Sequence, residues 1–489
     1  MAEIIKVPTG ISGLDQVLGG GIVKGNAVVI QGIPGTGKTT LGLQFIHEGA
    51  TIYDEHGLVI SFEETPRQLF RDSKNLGWDL ESLVEQKKIQ VMATSPQVFQ
   101  KQLQSTDGTI QQLLRDMKVQ RIFVDSVTHF QRITNDPVQL RNLLSSFLNL
   151  LREGDYTTLL TQEMRHEEGE LSFEQYAVDT VIRLFFEPIN RAQRRRFLEV
   201  LKARGQSFQS GKHSLEIGTG GLNVYPSPRP GLWTTDNPEL DDHPEFQRAE
   251  SGVPGLDGML GGGLFEGFSI LTAGEGGSGK STLARMFINH GLNAGENALY
   301  VALTEPPEQV IKQCLTIGLD LQPMIDDGRL TILHHPPVNL DANKVFWEVK
   351  GLIQSKGFRR AAIDSLTDLE ASLLDPDTFR NYVYSLVELF TVNNITSMFT
   401  LNVPPMSGEN ELIESELTMM MDGVFVMRSR NIHDHLRKTI TLVKMRGTEH
   451  DTGVRQLRIS EGEGIVIETG FEGVPSFLRK LQQGSTENA

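Results

Sequence analysis

Cysteine is nearly absent from this sequence, since its 489 residues include only Cys314. A single cysteine excludes an internal disulfide and an all-cysteine zinc site, and it suits a reducing compartment. Long apolar runs are also lacking, because no stretch approaches the roughly 20 residues that cross a bilayer. The first residues lack the charged and then apolar pattern of a secretory signal. We therefore expect a soluble cytoplasmic protein without a membrane partner.

Basic residues are in deficit. The chain has 46 lysines and arginines against 62 aspartates and glutamates, which gives a formal net charge of −16. A surface of this charge repels nucleic acid and anionic membranes as a whole. We expect no nucleic-acid partner, although a local basic channel stays compatible with this composition.

The sequence contains two copies of one phosphate-binding motif. Residues 32–39 and 274–281 both fit G-x-x-x-x-G-K-[ST]. Such a loop holds phosphates through backbone N–H groups, places a lysine ammonium on the β- and γ-phosphates and offers a hydroxyl to Mg²⁺. The predicted ATP-binding residues are Gly35, Thr36, Gly37, Lys38, Thr39 and Thr40 in the first loop, and Gly277, Ser278, Gly279, Lys280, Ser281 and Thr282 in the second.

The repeat extends beyond the loops. Residues 10–15 return as residues 252–257, and residues 122–128 return as residues 361–367. The duplication predicts two domains of similar size, each able to bury its own core. The stretch 226–250 lacks periodicity and predicts a linker. We expect a first domain over 1–230, a linker over 231–247, a second domain over 248–470 and a short tail over 471–489.

Short apolar strands alternate with amphipathic helices in each half. This pattern predicts an α/β fold, with a mainly parallel sheet covered by helices on both faces. Later in each half, stretches rich in β-branched and aromatic residues predict antiparallel hairpins that extend the sheet. These stretches are 180–186 with 197–201, and 424–427 with 440–443.

Two aspartates follow buried apolar strands at equivalent places, Asp125 and Asp364. In phosphate-loop enzymes such a residue holds the water shell of Mg²⁺, together with the loop hydroxyl. The predicted metal residues are therefore Thr39 with Asp125, and Ser281 with Asp364. A carboxylate that caps a turn is the alternative interpretation.

Carboxylates also follow the second strand of each half. Glu63 and Glu64 correspond to Thr304 and Glu305 in the repeat. A carboxylate at this edge of the sheet faces the γ-phosphate and can polarise an attacking water or hydroxyl. We take Glu63 as the candidate base, with Glu64 and Glu305 as the further candidate catalytic residues. A solvated loop charge is the alternative, and the threonine in the second copy predicts unequal halves.

A lysine and an arginine end a late strand in each half: Lys202 with Arg204, and Lys444 with Arg446. Alternation along a strand places both cations on one face, which suits the stabilisation of charge on a γ-phosphate. They lie far in sequence from their own phosphate loop, so reaching a phosphate of a neighbouring subunit requires a ring. A solvated strand edge is the alternative.

Taken together, these motifs resemble the KaiC family, the double-domain RecA-like ATPases of the circadian clock. The resemblance covers nearly the whole chain. It implies two tandem RecA-like P-loop NTPase domains in a homohexamer of two stacked rings, with ATP and Mg²⁺ bound between subunits. It implies slow ATP hydrolysis in the first ring, Ser/Thr autokinase and phosphatase activity in the second, and a protein signalling partner. It also implies that Lys202, Arg204, Lys444 and Arg446 contact ATP across the subunit interface.

The chain departs from the family pattern at two points. The family has paired glutamates where this chain has Thr304 and Glu305, and its acceptor pair falls on Thr418 and Met419. The candidate phosphoacceptors are therefore Thr418 and the nearby Ser415. Three hypotheses remain: a KaiC-like ATPase in signalling or clock-like regulation, a DNA-directed ATPase on the same fold, and an ATP-dependent scaffold with an inactive second ring.

Overall fold

The computed structural model describes residues 4–104, 109–134, 136–164, 177–189, 193–231, 247–373, 375–404, 416–432 and 435–468. The chain divides into two compact units, Met1–Ser227 and Pro228–Ala489. Within the described residues, each unit has one nine-stranded sheet and one two-stranded sheet. The limits expected for the linker and the tail remain predictions.

The first unit has eleven described strands: β1 Lys6–Val7, β2 Ile22–Val23, β3 Ala27–Gly32, β4 Gly57–Ser61, β5 Ile89–Ala93, β6 Arg121–Asp125, β7 Thr157–Glu163, β8 Thr180–Pro188, β9 Arg194–Ala203, β10 Lys212–Gly218 and β11 Gly221–Tyr225. Its described helices are Leu14–Val17, Lys38–Ile52, Pro66–Asn75, Leu80–Glu85, Pro96–Gln104, Thr109–Asp116 and Pro137–Glu153, with a 3₁₀ helix at Val127–Arg132.

The large sheet of the first unit has the order β11-β10-β9-β8-β3-β7-β6-β4-β5. From β8 to β5 the neighbours are parallel, whereas β8 to β11 pair antiparallel. Parallel neighbours bring their carboxyl ends to one edge of the sheet, which is the usual place for a ligand in an open α/β sheet. The phosphate loop after β3 and Asp125 at the end of β6 therefore share that edge.

The second unit repeats this architecture. Its described strands are β12 Arg248–Ala249, β13 Leu264–Phe265, β14 Ser269–Gly274, β15 Ala298–Ala302, β16 Leu330–His334, β17 Arg360–Asp364, β18 Thr396–Asn402, β19 Gly423–Ile432, β20 His435–Met445, β21 Arg455–Ser460 and β22 Gly464–Glu468. Its described helices are Pro254–Met259, Lys280–Asn293, Pro307–Thr316, Gln322–Asp326, Ala342–Lys356, Leu366–Ser372, Pro376–Val392 and Glu416–Met420, with a 3₁₀ helix at Pro337–Asn339. The sheet order β16-β15-β17-β18-β14-β19-β20-β21-β22 has the same topology as the first.

Strand alternation explains why both faces of each sheet are covered. In β3, Val28 and Ile30 pack in one hydrophobic cluster with Phe45, whereas Val29 packs in a second cluster with Phe147. Successive side chains of a strand point to opposite faces, so a continuous apolar strand requires cover on both sides. The helices that carry Phe45 and Phe147 provide that cover.

Helix starts are set locally by Asp-Pro pairs in both units. Asp136 accepts a hydrogen bond from the backbone N–H of Val138 at 2.9 Å, and Asp375 accepts one from Thr378 at 2.8 Å. The aspartate satisfies a backbone donor that has no intrahelical partner, and proline at the first helical position has no N–H to satisfy. These caps position the long helices that cover one face of each sheet.

The predicted fold class is confirmed, since each unit has a mainly parallel sheet with helices on both faces. The two antiparallel extensions form where the sequence predicts them, as β8 with β9 and β19 with β20. The sequence analysis missed the further hairpins β10–β11 and β21–β22, together with the small pairs β1–β2 and β12–β13. Polar residues interrupt β10, β11 and β21, and the two small pairs have only two residues per strand, too few to show an alternation.

Candidate nucleotide-binding sites

Each phosphate loop lies between a buried strand and a helix that begins at the loop lysine. The residues just before these helices, Gly37 and Gly279, have φ angles of 104° and 110°. A side chain is strained at such angles, and a Cβ on Gly37 would lie 2.6 Å from Cδ1 of Ile217. Glycine therefore allows the turn that directs the first backbone N–H groups of the helix toward the loop.

The loop lysines fold back over the loops. Nζ of Lys38 donates to the carbonyl oxygens of Gly32 at 2.9 Å and Ile33 at 3.1 Å. Nζ of Lys280 makes the equivalent bonds to Gly274 at 2.9 Å and Glu275 at 2.7 Å. Both ammonium groups are thus held within the loop that is predicted to bind phosphate.

Burial lowers the pKa of both lysines. For Lys280 the pKa falls to about 8, and the Asp364 and Glu275 carboxylates only partly oppose the effect of burial. For Lys38, burial is opposed first by Glu163 and then by Asp125 and Glu63. A buried ammonium gains most from an anionic ligand, because each phosphate oxygen restores solvation that the protein has removed.

In the first unit the predicted metal residues come together. Oγ1 of Thr39 donates to Oδ2 of Asp125 at 2.7 Å, and Thr161 on β7 donates to the other carboxylate oxygen. The peptide bond between Asp125 and Ser126 is cis. The loop hydroxyl and the strand-end carboxylate therefore converge as the sequence predicts.

In the second unit the corresponding aspartate has a different partner. Tyr300 on β15 donates its hydroxyl to Oδ2 of Asp364 at 2.7 Å, and Thr400 donates to Oδ1. Burial, and then the Asp364 carboxylate, hold the pKa of Tyr300 well above its ordinary value, so the phenol is a neutral donor. The sequence analysis missed both donors, because they come from strands far from the phosphate loop in sequence.

A cavity of about 440 Å³ lies beside the second phosphate loop. Ser281 and Asp364 both line it, so the predicted metal residues face the same space. Lys438 on β20 also lines it and adds a cation from the same unit that the sequence analysis missed. The other lining residues are Gly277, Gly279, Lys280, Thr282, Arg285, Tyr300, Ala302, Thr304, Glu305, Val310, Gln313, Ser365, Asn402 and Ile459.

The paired glutamates of the first unit have distinct surroundings. Glu63 is exposed, and its Oε1 lies 2.7 Å from Nε2 of His129 and 3.8 Å from Nη2 of Arg132. The contact with His129 is close but is not aligned as a hydrogen bond, since that Nε2 has no aligned acceptor. Burial, and then the Asp125 carboxylate, raise the pKa of Glu64.

The second unit replaces this pair with Thr304 and Glu305. Oγ1 of Thr304 donates to Asp368 at 3.0 Å. Glu305 forms an ion pair with the buried Arg285, and Nε2 of Gln313 donates to its other carboxylate oxygen at 3.1 Å. The one glutamate retained at this position is therefore held by two side chains.

The Lys-x-Arg cations lie away from the phosphate loop of their own unit. Nζ of Lys202 donates to the carbonyl oxygen of Val178 at 2.7 Å. Nζ of Lys444 donates to the carbonyl oxygens of Thr418 at 2.6 Å and Met421 at 2.7 Å, and Arg446 donates to that of Met419 at 2.7 Å. Arg204 follows β9 directly.

Of the two candidate phosphoacceptors, Thr418 lies on the helix Glu416–Met420 and is only 5% exposed. Ser415 lies outside the described residues. The described residues contain no group of three or more His, Cys, Asp or Glu side chains that could hold a metal ion. Among the same residues, no helix is long and apolar enough to span a membrane.

Two phosphate loops, each at the carboxyl edge of its own parallel sheet, define a tandem P-loop ATPase. The family model described as "ATPase: KaiC" matches residues 7–229 and 249–471. The chain belongs to this KaiC ATPase family, and the family expected from the sequence motifs is confirmed.

Similar proteins match over nearly the whole chain. Circadian clock oscillator protein KaiC of Thermostichus vulcanus is 30% identical over 487 residues, which cover 97% of this chain and 92% of the relative. The protein of the same name from Picosynechococcus sp. is 30% identical over 476 residues, with 95% and 90% covered. That of Prochlorococcus marinus (strain MIT 9313) is 29% identical over 479 residues, with 96% and 94% covered.

Proposed function

We propose that the first repeat of this ATPase hydrolyses ATP and that the second repeat holds ATP with slow turnover. The observation that carries this division is the contrast between the two strand-end aspartates. Thr39 of the phosphate loop bonds Asp125, whereas Tyr300 of a neighbouring strand bonds Asp364. Each site therefore has its own phosphate loop of the same type, but the two sites differ in which side chain bonds the metal-binding carboxylate.

We propose ATP with Mg²⁺ as the ligand of both sites. The donors fit this pair, since the backbone N–H groups and lysine of each loop suit phosphate oxygens, while hydroxyl and carboxylate oxygens suit a hard cation. Thr39 with Asp125, and Ser281 with Asp364, would hold the metal ion. The chemistry that Mg²⁺ would supply there is the neutralisation of charge on the β- and γ-phosphates.

We propose Glu63 as the base of the first site. Its exposed carboxylate can reach a water in front of the phosphates, and His129 and Arg132 lie beside it. Glu64 is the second candidate at the carboxyl edge of the sheet, and its side chain is more buried than that of Glu63. Glu305 is the candidate base of the second site, where its ion pair with Arg285 predicts slow chemistry.

We propose that the chain assembles as a homohexamer of two stacked rings. Lys202, Arg204, Lys444 and Arg446 would contact ATP of a neighbouring subunit. Light scattering in saturating MgATP should give the mass of six chains, and a strictly monomeric protein would contradict the proposal. We propose a cytoplasmic role in clock-like regulation with a protein signalling partner. The relatives' name, circadian clock oscillator protein, supports the clock-like part of this proposal.

We also propose that any autokinase activity of the second repeat modifies Thr418 or Ser415. Thr418 is buried, so its hydroxyl must be exposed before it can attack a γ-phosphate, and we expect a low rate. Incubation with labelled ATP and peptide mapping test this assignment. Label at another residue would discard both sites.

The proposed division of labour also assigns limits to the two ATPase domains. We propose that residues 1–230 and 248–470 are the two ATPase domains, with 231–247 as a linker and 471–489 as a short tail. An ATP-dependent scaffold with an inactive second ring is the second candidate function, and the ion pair between Arg285 and Glu305 favours it. A DNA-directed ATPase predicts stimulation by single-stranded DNA, and an ATPase rate that DNA does not change would exclude it.

Steady-state ATP hydrolysis of two variants tests the division of labour. Lys38→Ala should remove most of the activity, because it empties the site that turns over. Lys280→Ala, the matched change in the second loop, should leave most of the hydrolysis in place while removing one bound nucleotide per chain. Equal losses in the two variants would contradict the proposal.

A further inference from the structure

Arg285 connects the two carboxylates of the second site. Its side chain is 5% exposed and makes three contacts: with Glu305 as an ion pair, with Oε1 of Gln313 at 2.5 Å, and through Nε with the hydroxyl of Tyr300 at 3.2 Å. The hydroxyl of Tyr300 in turn donates a hydrogen bond to Oδ2 of Asp364 at 2.7 Å. One guanidinium thus holds Glu305 directly and Asp364 through a tyrosine.

Both oxygens of Glu305 are engaged. Arg285 contacts Oε2, and Gln313 donates to Oε1 at 3.1 Å. Hydrogen bonds between charged partners are the strong ones, and a buried guanidinium is costly to leave unpaired. Arg285 and Gln313 each take one acceptor site of Glu305 and hold the carboxylate in one orientation, so these contacts restrain the candidate base.

Among the described residues, the first repeat has no counterpart of this network. Strand pairing aligns Tyr300 with Val59, because Tyr300 pairs with Ala362 as Val59 pairs with Phe123. The helix after the phosphate loop aligns Arg285 with Leu43. Leu43 and Val59 are buried in one hydrophobic cluster. The equivalent wall of the first site is therefore apolar.

The second repeat is packed around the network. In the first repeat Phe123 fills the space beneath the helix, and a Cβ on Gly42 would lie only 1.9 Å from its ring. The matching residues of the second repeat are Ala362 and Ala284, which are both fully buried. The small Ala362 leaves room for the aromatic ring of Tyr300. The residues around the network therefore differ between the two repeats in a way that accommodates Tyr300 and Arg285.

We propose that Arg285 is a positioning residue that withholds Glu305 from catalysis, and that with Tyr300 it makes the second repeat retain ATP instead of hydrolysing it. The inference rests on the proposed binding of ATP at the second repeat and goes beyond it by naming the restraint. Removing the restraint, with the fold intact, should convert a retaining site into a faster hydrolytic site.

The test uses the full chain in a Glu63→Gln/Glu64→Gln background, which silences the first site. Arg285→Leu introduces the residue of the first repeat. We expect ATP turnover to rise about tenfold or more, since a freed carboxylate can act as a general base. The nucleotide extracted from the second repeat should shift from ATP toward ADP. Arg329→Leu is the matched control, because it breaks an ion pair with Asp327 outside the site, and it should change neither readout.

A second variant identifies the group that is released. Arg285→Leu/Glu305→Gln should lose the gain in turnover, whereas Arg285→Lys, which keeps a cation beside Glu305, should stay below Arg285→Leu. If Arg285→Leu does not fold, Arg285→Gln keeps hydrogen-bond donors without the charge and takes its place. Tyr300→Phe should give a smaller rise, because it leaves the ion pair between Arg285 and Glu305 in place.

Four outcomes decide the matter. A rise that depends on Glu305 supports the inference. Unchanged or slower turnover with full nucleotide occupancy overturns it, and so does loss of nucleotide in Arg285→Leu, because Arg285 would then be a binding residue. If the parent chain holds no nucleotide at its second repeat, both the inference and the proposed function are overturned.

Discussion

Nζ of Lys444 donates to the carbonyl oxygen of Thr418 at 2.6 Å, so a cation expected to reach ATP of a neighbouring subunit holds the backbone of a candidate phosphoacceptor. Arg446 joins it through the carbonyl oxygen of Met419. The last carbonyls of a helix have no intrahelical donors, and cations at that end satisfy them. The helix Glu416–Met420 therefore depends on the two cations for its carboxyl end.

Lys444→Ala should loosen this helix. The variant leaves the carbonyl oxygens of Thr418 and Met421 without the ammonium that bonds them, so we expect faster amide exchange over 416–421. Hydrogen exchange read by mass spectrometry measures it. Lys202→Ala, the matched change in the first repeat, should leave this segment unchanged. Parental exchange in Lys444→Ala would show that the cation does not hold the helix.

Thr39→Ala should weaken the response of the first site to magnesium. The hydroxyl bonds Asp125 and supplies one of the two metal-holding groups. We expect the Mg²⁺ concentration for half-maximal hydrolysis to rise roughly 10- to 100-fold. Thr51→Ala is the control, since its hydroxyl bonds the carbonyl oxygen of His47 on the exposed helix surface. A magnesium dependence equal to the parent's would remove Thr39 from the metal site.

Glu63→Gln should keep ATP bound while slowing hydrolysis about 10²-fold or more, as loss of a general base does. Glu64→Gln should slow it less, because Glu64 is the more buried of the two glutamates. The rates come from steady-state assays, and bound nucleotide is measured in parallel. If Glu64→Gln has the larger effect, the base assignment belongs to Glu64.

Because the Cys314 thiol is buried, we expect the free energy of unfolding to fall at alkaline pH. Burial raises its pKa from about 9 to about 11 in the folded protein. The raised value contributes stability that is fully present below pH 9 and is lost as the pH rises through 11, because the unfolded thiol ionises first. The urea midpoint of the parent should therefore approach that of Cys314→Ala between pH 9 and pH 11. A constant difference between the two proteins would contradict the raised pKa.

The sequence predicts the parts of the site that short motifs carry. Lys38, Thr39 and Asp125 converge as their spacing and strand positions indicate, because the ends of parallel strands meet at one edge. The same reasoning gives the chain order of strands β3 to β9 and β14 to β20.

Side-chain partners from distant elements could not be predicted in this way. His129 reaches Glu63 from a 3₁₀ helix, Lys438 enters the second cavity from an antiparallel strand, and Arg285 meets Tyr300 and Glu305 across the face of the sheet. The apolar periodicity of a strand or helix does not show which distant side chains its residues will contact. One signal was present, however: a buried helix and a buried strand carry Arg285 and Tyr300 where the first repeat has Leu43 and Val59.

The nucleotide content of the full chain after prolonged incubation with MgATP shows whether the first repeat hydrolyses ATP while the second repeat retains it. Nucleotides are extracted from Lys38→Ala, from Lys280→Ala and from the parent, and then separated as ATP and ADP. We expect two nucleotides per parent chain, mainly ATP in Lys38→Ala, where only the second site is filled, and substantial ADP in Lys280→Ala. Mainly ADP in Lys38→Ala and mainly ATP in Lys280→Ala would contradict it.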